Sequence, residues 1–167
     1  MLGLMQSQPL LISSLIDFAE RHHGDVEIVS RRVEGDIHRY TWADVARRSR
    51  QVAHALDGMS LLFSDRIATL AWNSGNHMET WFGTMGIGAV LHSLNPRLFP
   101  EQLVYIVNHA GSSVLLFDTT FAALVTSLRP KLAGVRDFVA MTDQAHMPSG
   151  LADCHCYERL LEAEDGA

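Results

Sequence analysis

The sequence predicts an α/β fold: a parallel or mixed sheet of βαβ units with flanking helices, preceded by a helix and a β-hairpin. Three observations predict it. Between residues 66 and 141 short apolar runs alternate with stretches of helical period, which is the pattern of right-handed βαβ crossovers. Ahead of them, two β-rich runs flank the turn Glu34-Gly35-Asp36. The chain is also 167 residues long, 47% apolar and 19% charged. A chain of that size buries about 68–70% of its unfolded surface and needs no disulfide or metal to hold a core.

Taken in order, residues 10–21 place Ile12, Leu15, Ile16 and Ala19 on one face, which predicts a helix ending at Gly24. Residues 26–31 and 37–41 form the hairpin arms. Thr41 then caps a second helix, with Asp44 where a capping-box acid reaches back. Its buried stripe is Trp42, Val45, Ala46, Ser49, Val52, Ala53 and Leu56, and Arg47, Arg48 and Arg50 are expected on a solvated face. Strands follow at 66–72, 88–94, 114–118 and 135–141. Helices lie between them at 76–85, 100–110 and 121–132, the second with Leu103, Ile106, Val107 and Ala110 inward. A short helix is expected at 157–163. Residues 143–153, with Pro148 and Gly150, look loose, so the chain divides into an α/β unit at 1–142 and a loose segment with a short helix at 143–167.

Composition excludes several functions. With 19 acidic and 13 basic residues the formal charge is −6, against the clustered cations of a nucleic-acid scaffold. Twelve of the basic residues are Arg, and Lys131 is the one lysine. The start, 1–16, is apolar but has no basic residue ahead of the run and is interrupted by Gln6, Gln8 and Pro9, so it does not read as a signal peptide. No segment reaches the roughly 18 apolar residues of a transmembrane helix. Cys154 and Cys156 are spaced for neither an unstrained disulfide nor a zinc pair. They are expected as plain thiols near a mobile C-terminus, in a reducing compartment.

Motifs for chemistry are mostly missing. Lys131 lies between Pro130 and Leu132, so it ends no phosphate loop. Gly83, Gly86 and Gly88 give the reverse of the dinucleotide order and read as helix-to-sheet packing and a helix stop. Ser74, in Asn73-Ser74-Gly75-Asn76, is no esterase nucleophile; it reads as a helix N-cap, a role Asn76 could also fill. None of the nine histidines forms a metal-binding H-x-x-x-H. His77 and His92 stand apart because they fall near strand ends, where α/β ligand sites lie. A lone histidine supplies neither an acid–base pair nor a ligand set, so the structural reading is preferred for both. Asp118 is tempting as a ribose ligand beside Asn73 and His92, but reads more simply as an N-cap. No catalytic, cofactor-binding or metal residue is assigned.

The words Arg39-Tyr40-Thr41-Trp42-Ala43-Asp44, Asp65-Arg66-Ile67-Ala68-Thr69-Leu70-Ala71-Trp72-Asn73 and Gly88-Ala89-Val90-Leu91-His92-Ser93-Leu94-Asn95-Pro96-Arg97-Leu98 occur in that order. Together they resemble the N-terminal region of acyl-CoA synthetases of the adenylate-forming (AMP-binding) superfamily. Glu27-Ile28-Val29-Ser30-Arg31, Tyr105-Ile106-Val107-Asn108-His109-Ala110 and Phe138-Val139-Ala140-Met141-Thr142-Asp143 are similar to the bacterial branch of medium- or long-chain fatty-acyl-CoA and 3-methylmercaptopropionyl-CoA ligases.

The resemblance implies a two-step reaction in full-length members. A carboxylate and ATP give acyl-adenylate and pyrophosphate, with magnesium offsetting phosphate charge, and the CoA thiol then displaces AMP. It implies a cytoplasmic location, peripheral membrane association through the substrate's supply, and self-association. The family's Ser/Thr/Gly-rich phosphate loop, its aromatic-Gly-x-Thr-Glu segment, its ribose-binding Asp and its C-terminal lysine domain have no counterpart in these 167 residues. The chain is therefore expected to represent the first subdomain, to bind no cofactor itself and to be inactive alone. The alternative is a non-catalytic association module or remnant that binds a full-length synthetase or another protein.

Two departures from the family pattern are local. Ser64-Asp65 stands where relatives carry Gly-Asp, and Phe99 replaces a Ser or Thr cap worth about 1 kcal/mol. Leu62, Phe63 and Phe99 are expected to need cover.

Overall fold

Five parallel strands form the central sheet: β3 (Arg66–Leu70), β4 (Val90–Ser93), β5 (Ser112–Phe117), β6 (Asp137–Ala140) and β7 (His155–Cys156), in the spatial order β4-β3-β5-β6-β7. The computed structural model describes residues 3–4, 7–151 and 153–166. Part of the 1–16 start (Met1, Leu2, Met5, Gln6) and Ala152 and Ala167 of the 143–167 segment lie outside the described residues. Ahead of the sheet, α1 (Ser13–His23) leads into an antiparallel hairpin, β1 (Glu27–Arg31) and β2 (Ile37–Thr41), with Ile28 opposite Tyr40. Then come α2 (Trp42–Asp57), α3 (Gly75–Gly86), α4 (Pro100–Ala110), α5 (Ala122–Leu128) and α6 (Tyr157–Glu162). Among the described residues no helix is long and apolar enough to cross a membrane.

The sheet is buried on both faces, so its strands read as nearly continuous apolar runs. Along β3, β5 and β6 successive side chains alternate between two clusters. Ala68, Leu70, Leu115, Phe117, Phe138 and Ala140 meet Leu103 and Val107 of α4 and Val125 and Leu128 of α5. Ile67, Val114, Leu116 and Val139 meet Val52 and Leu56 of α2 and Tyr157 and Leu161 of α6. A third cluster, Ile16, Tyr40, Val45 and Ala46, joins α1, the hairpin and α2.

Several expectations need correction. In α1 only Ile16 of the four-residue stripe is buried; Ile12 and Leu15 face solvent with Phe18. The stretch 121–132 is no single helix, because Pro130 has no N–H to extend the ladder; 3₁₀ turns at Thr119–Phe121 and Arg129–Lys131 flank α5. The chain after residue 142 rejoins the core: β7 pairs with β6, Tyr157 is fully buried and both cysteines are buried free thiols. Gly83 serves helix-to-helix rather than helix-to-sheet packing, since a Cβ there would fall 2.7 Å from the Ser49 carbonyl oxygen and 2.8 Å from Val52 Cβ of α2.

The arginines of α2 are not one solvated face. Arg47 is, but Arg50 makes a two-bond pair with Glu20 of α1 at 2.8 and 2.9 Å. Arg48 is drawn inward: its Nε donates to Glu79 of α3 at 2.8 Å, while its two terminal nitrogens donate to both Glu158 oxygens at 3.1 and 2.8 Å. Tyr157 donates to the second Glu79 oxygen at 2.9 Å. Glu79 is 1% exposed. Burial pushes its carboxyl upward in pKa and Arg48 opposes that, while the two carboxylates hold Arg48 firmly protonated. The capping box at Thr41 and Asp44 forms as expected, with Thr41 N–H donating to Asp44 at 3.0 Å.

The exposed apolar residues Leu62, Phe63 and Phe99, at 75%, 85% and 72%, do not form one patch. The first two precede β3 at the amino edge of the sheet, and Phe99 follows β4 at the carboxyl edge. Gln102 partly replaces the missing cap by accepting the Phe99 N–H at 3.0 Å.

Ser64 keeps a φ of +67°, a left-handed conformation costly for any residue with a Cβ. Ser64→Gly should therefore raise stability in urea by about 0.5–1 kcal/mol, the left-handed penalty less the added unfolded-state entropy; a loss of stability would contradict this account. Arg48→Met should cost about 3–5 kcal/mol by leaving Glu79 buried and uncompensated, and adding Glu79→Leu should restore most of that loss. Urea melts of the two variants check both halves.

Candidate functional site

The chain steps from β3 outward to β4, then crosses back to β5 on the other side of β3. This reversal makes the carboxyl ends of β3 and β5 the topological switch point, where open α/β sheets place ligands. A cleft of about 800 Å³ opens beside it. The hairpin contributes Ile28 and Val29, the loop after β3 contributes Trp72 and Ser74, α3 contributes Met78 and Trp81, and the loop after β4 contributes Asn95 and Arg97.

Local structure fixes these walls. Ser74 caps α3 as the sequence suggests, accepting the His77 N–H at 3.3 Å; Asn76 does not share that role. The hairpin is tied down by Ser30 Oγ, which accepts the Gly75 N–H at 2.9 Å, and by Thr142, whose hydroxyl donates to Glu34. Gly75 is required because a Cβ there would lie 2.5 Å from the Tyr40 hydroxyl. That hydroxyl is buried with no hydrogen-bond partner among the described residues, and burial raises its pKa. Asn95 Oδ1 accepts the Arg97 N–H at 3.0 Å, which shapes the turn that holds Arg97 at the cleft.

The two singled-out histidines separate. His77 sits at the cleft with both ring nitrogens occupied: Nδ1 lies 3.1 Å from the Trp72 carbonyl oxygen and Nε2 lies 3.0 Å from Thr69 Oγ1. A carbonyl can only accept, so Nδ1 carries the proton and Nε2 accepts from Thr69. Burial lowers its pKa and keeps the ring neutral. His77 is a brace of the loop after β3. His92 is turned away from the carboxyl edge, with Nδ1 2.9 Å from the hydroxyl of Ser112 at the amino end of β5; burial lowers its pKa as well. Neither acts as a base toward the cleft.

Asp118 behaves differently from the expected cap. Its side chain makes no capping bond to the following turn. Instead Oδ2 reaches across the switch point and accepts the Trp72 N–H at 2.6 Å, while the Trp72 ring packs on Phe121 with centroids 5.2 Å apart. Asp118 is 2% exposed. Burial pushes its carboxyl up to about 6, the Trp72 bond opposes this, and the charge of Glu34 adds to it. The signal available in the sequence was an acid directly after an apolar strand; the reversal of strand order that gives it its partner is seen only in the fold.

The remaining candidates lie elsewhere. Lys131 is in the turn after α5, at the amino edge of the sheet, and its carbonyl accepts from Asn108 at 2.8 Å. A second cleft of about 470 Å³ borders Cys154 and Cys156. Cys156 donates to the Thr142 carbonyl at 3.3 Å, and burial raises the Cys154 thiol, which leaves it poorly nucleophilic. Among the described residues no group of three His, Cys, Asp or Glu side chains could hold a metal ion. Among the described residues the carboxyl-edge cleft offers apolar walls and the guanidinium of Arg97.

Comparison with known proteins agrees with this architecture. The profile of the family described as AMP-binding enzyme matches residues 15–156. The chain is 47% identical to a 3-methylmercaptopropionyl-CoA ligase of Ruegeria lacuscaerulensis, over 99% of this chain and 31% of the relative. It is 41% identical to a medium-chain fatty-acid CoA ligase of Ectopseudomonas oleovorans, over 99% of this chain and 30% of the relative. The structure is similar to that of an anthranilate CoA ligase in complex with anthranoyl-AMP, with a TM-score of 0.80 at 18% identity, covering 98% of this chain and 30% of that one. The chain spans about a third of the length of these curated relatives. Its sequence from residue 15 to residue 156 and its fold agree, and the chain belongs to the AMP-binding enzyme family.

Proposed function

We propose that this chain is the N-terminal portion of an ATP-dependent acyl-CoA synthetase, which joins a carboxylic acid to CoA and converts ATP to AMP and pyrophosphate. The observation that carries this reading is the 47% identity that extends over 99% of the chain to a 3-methylmercaptopropionyl-CoA ligase. ATP, Mg²⁺ and CoA are the cofactors of that full-length reaction. The residues present here do not fit them: Lys131 is on the wrong edge of the sheet, no three-donor set occurs among the described residues, and no Ser/Thr/Gly-rich phosphate loop is in the sequence. The contribution of residues 1–167 is a folded α/β layer, which leaves adenylation to segments of the kind found in the rest of the relatives. A cytoplasmic setting goes with the same reading.

Purified 167-residue protein given ATP, Mg²⁺, CoA and a medium-chain or methylthio-substituted carboxylic acid should release no pyrophosphate above background. A longer chain that adds the phosphate loop and C-terminal lysine should release it in step with the acid. Carboxylate-dependent release by the short chain would overturn the reading.

A second reading, a non-catalytic association module, is favored by the exposure of Leu62 and Phe63 at the amino edge. It requires a stable mixed complex with a full-length relative at micromolar concentration in light scattering; separate species under those conditions would remove it.

A further inference from the structure

Asp118 combines three features that the proposed ligase role does not use. It is a nearly fully buried carboxylate at the switch point, it bridges two strand ends through the backbone of a cleft-lining tryptophan, and it feels the charge of a second carboxylate on the hairpin. The N–H of Trp72 has a charged acceptor at 2.6 Å, the short and strong kind of hydrogen bond that weakens when the acceptor is neutralized. Glu34 belongs to the turn of the hairpin, whose tip is fastened to the carboxyl edge by the hydroxyl of Thr142.

We propose that Asp118 is a proton-operated latch for the carboxyl-edge cleft: ionized, it clamps the Trp72 amide and strains the Glu34–Thr142 fastening of the hairpin tip by like-charge repulsion, and protonated, it loosens its hold on Trp72 and relieves that strain. The proton arrives from solvent and remains on the carboxyl, so no other group is consumed.

The neighboring charges do not substitute for Asp118. On the hairpin, Arg32 is bound by Asp36 at 2.9 Å, and burial together with Arg32 and Arg48 lowers the pKa of His38. On α3, both nitrogens of His77 are engaged. After β6, Asp143 is paired with His146 at 2.7 Å. Glu34 is the charge that acts on Asp118. Because burial places the folded carboxyl at about 6, above its ordinary value of 3.8, the folded chain takes up the proton first. It gains stability as pH falls through that interval, the opposite of a carboxylate held in an ion pair.

The latch belongs to the fold itself, so it stands or falls independently of ligase activity. Backbone amide NMR of the 167-residue chain tests it. The Trp72 amide proton should move upfield on acidification with a midpoint near pH 6, the position of the Asp118 carboxyl. Over the same range, after correction for intrinsic rates, exchange at 72–74 should quicken and exchange at Gly35 should slow. Asp118→Asn, which keeps an acceptor oxygen, should abolish the transition, and Glu34→Gln should move its midpoint to lower pH. A Trp72 amide without a transition, a transition that survives Asp118→Asn, or a midpoint indifferent to Glu34→Gln would overturn the proposal. If Asp118→Asn does not fold, hydrogen exchange in the parent chain and in Glu34→Gln decides: a carboxyl that titrates while exchange at 72–74 stays constant is merely structural and would overturn the proposal, whereas exchange at 72–74 that quickens with the carboxyl's own midpoint in each chain, lower in Glu34→Gln, supports it.

Discussion

Arg48 carries a charge into the space between three helices, and that charge is tolerated only because Glu79 and Glu158 meet it there with hydrogen bonds in good geometry. Desolvating such ions costs several kcal/mol each, so the arrangement persists only if α2, α3 and α6 hold their relative positions. Tyr157 adds the fourth member by donating to Glu79, with its ring 5.9 Å from the guanidinium. The consequence is specificity more than net stability. A shifted α6 or a rotated α3 would leave a buried charge unpaired, and the apolar clusters on the α2 face of the sheet would lose their register with it.

Polar side chains of α2 extend this control along the chain. Gln51 donates to the carbonyls of Leu161 and Glu164, and Arg50 donates to that of Gly166. A helix of six residues cannot sustain itself in water, and its last carbonyls have no intrahelical donors. For α6, Gln51 of α2 supplies a donor to the Leu161 carbonyl, and the bonds to Glu164 and Gly166 fasten the segment just beyond the helix, while Tyr157 and Leu161 supply the apolar anchor. At the opposite margin, the hairpin rests on Gly75 and Thr142, so one wall of the cleft belongs to a structure outside the parallel sheet. The geometry of the cleft is therefore set jointly by the βαβ core and the element that precedes it.

Much of this was legible in the residues. The alternation of apolar strands and helical periods located β3 to β6 to within a few positions, and Thr41, Asp44 and Ser74 declared their capping roles because a cap is a local interaction. What escaped depends on distance along the chain. Arg48 pairs with Glu79, 31 positions away, and with Glu158, 110 positions away; on the local pattern it could only look like one more exposed arginine. β7 has two residues, too few to show alternation. The direction of His92 follows from strand register, and the acceptor role of Asp118 follows from which strands become neighbors. The fate of Pro130 was readable from its missing N–H, but the apolar spacing around it suggested an unbroken helix.

Gly83 lies one helical turn after Glu79, where α3 crosses the Ser49 carbonyl next to Arg48. In the genetic alphabet every alternative to glycine is larger, so drift at this codon has no small step available. Even a methyl group would act as a wedge beside the ion pair, and the closeness of the two helices would have to be re-established by changes at several positions together. The crossing is thus a mutational cul-de-sac, where a residue with no side chain dictates which sequences can share this fold.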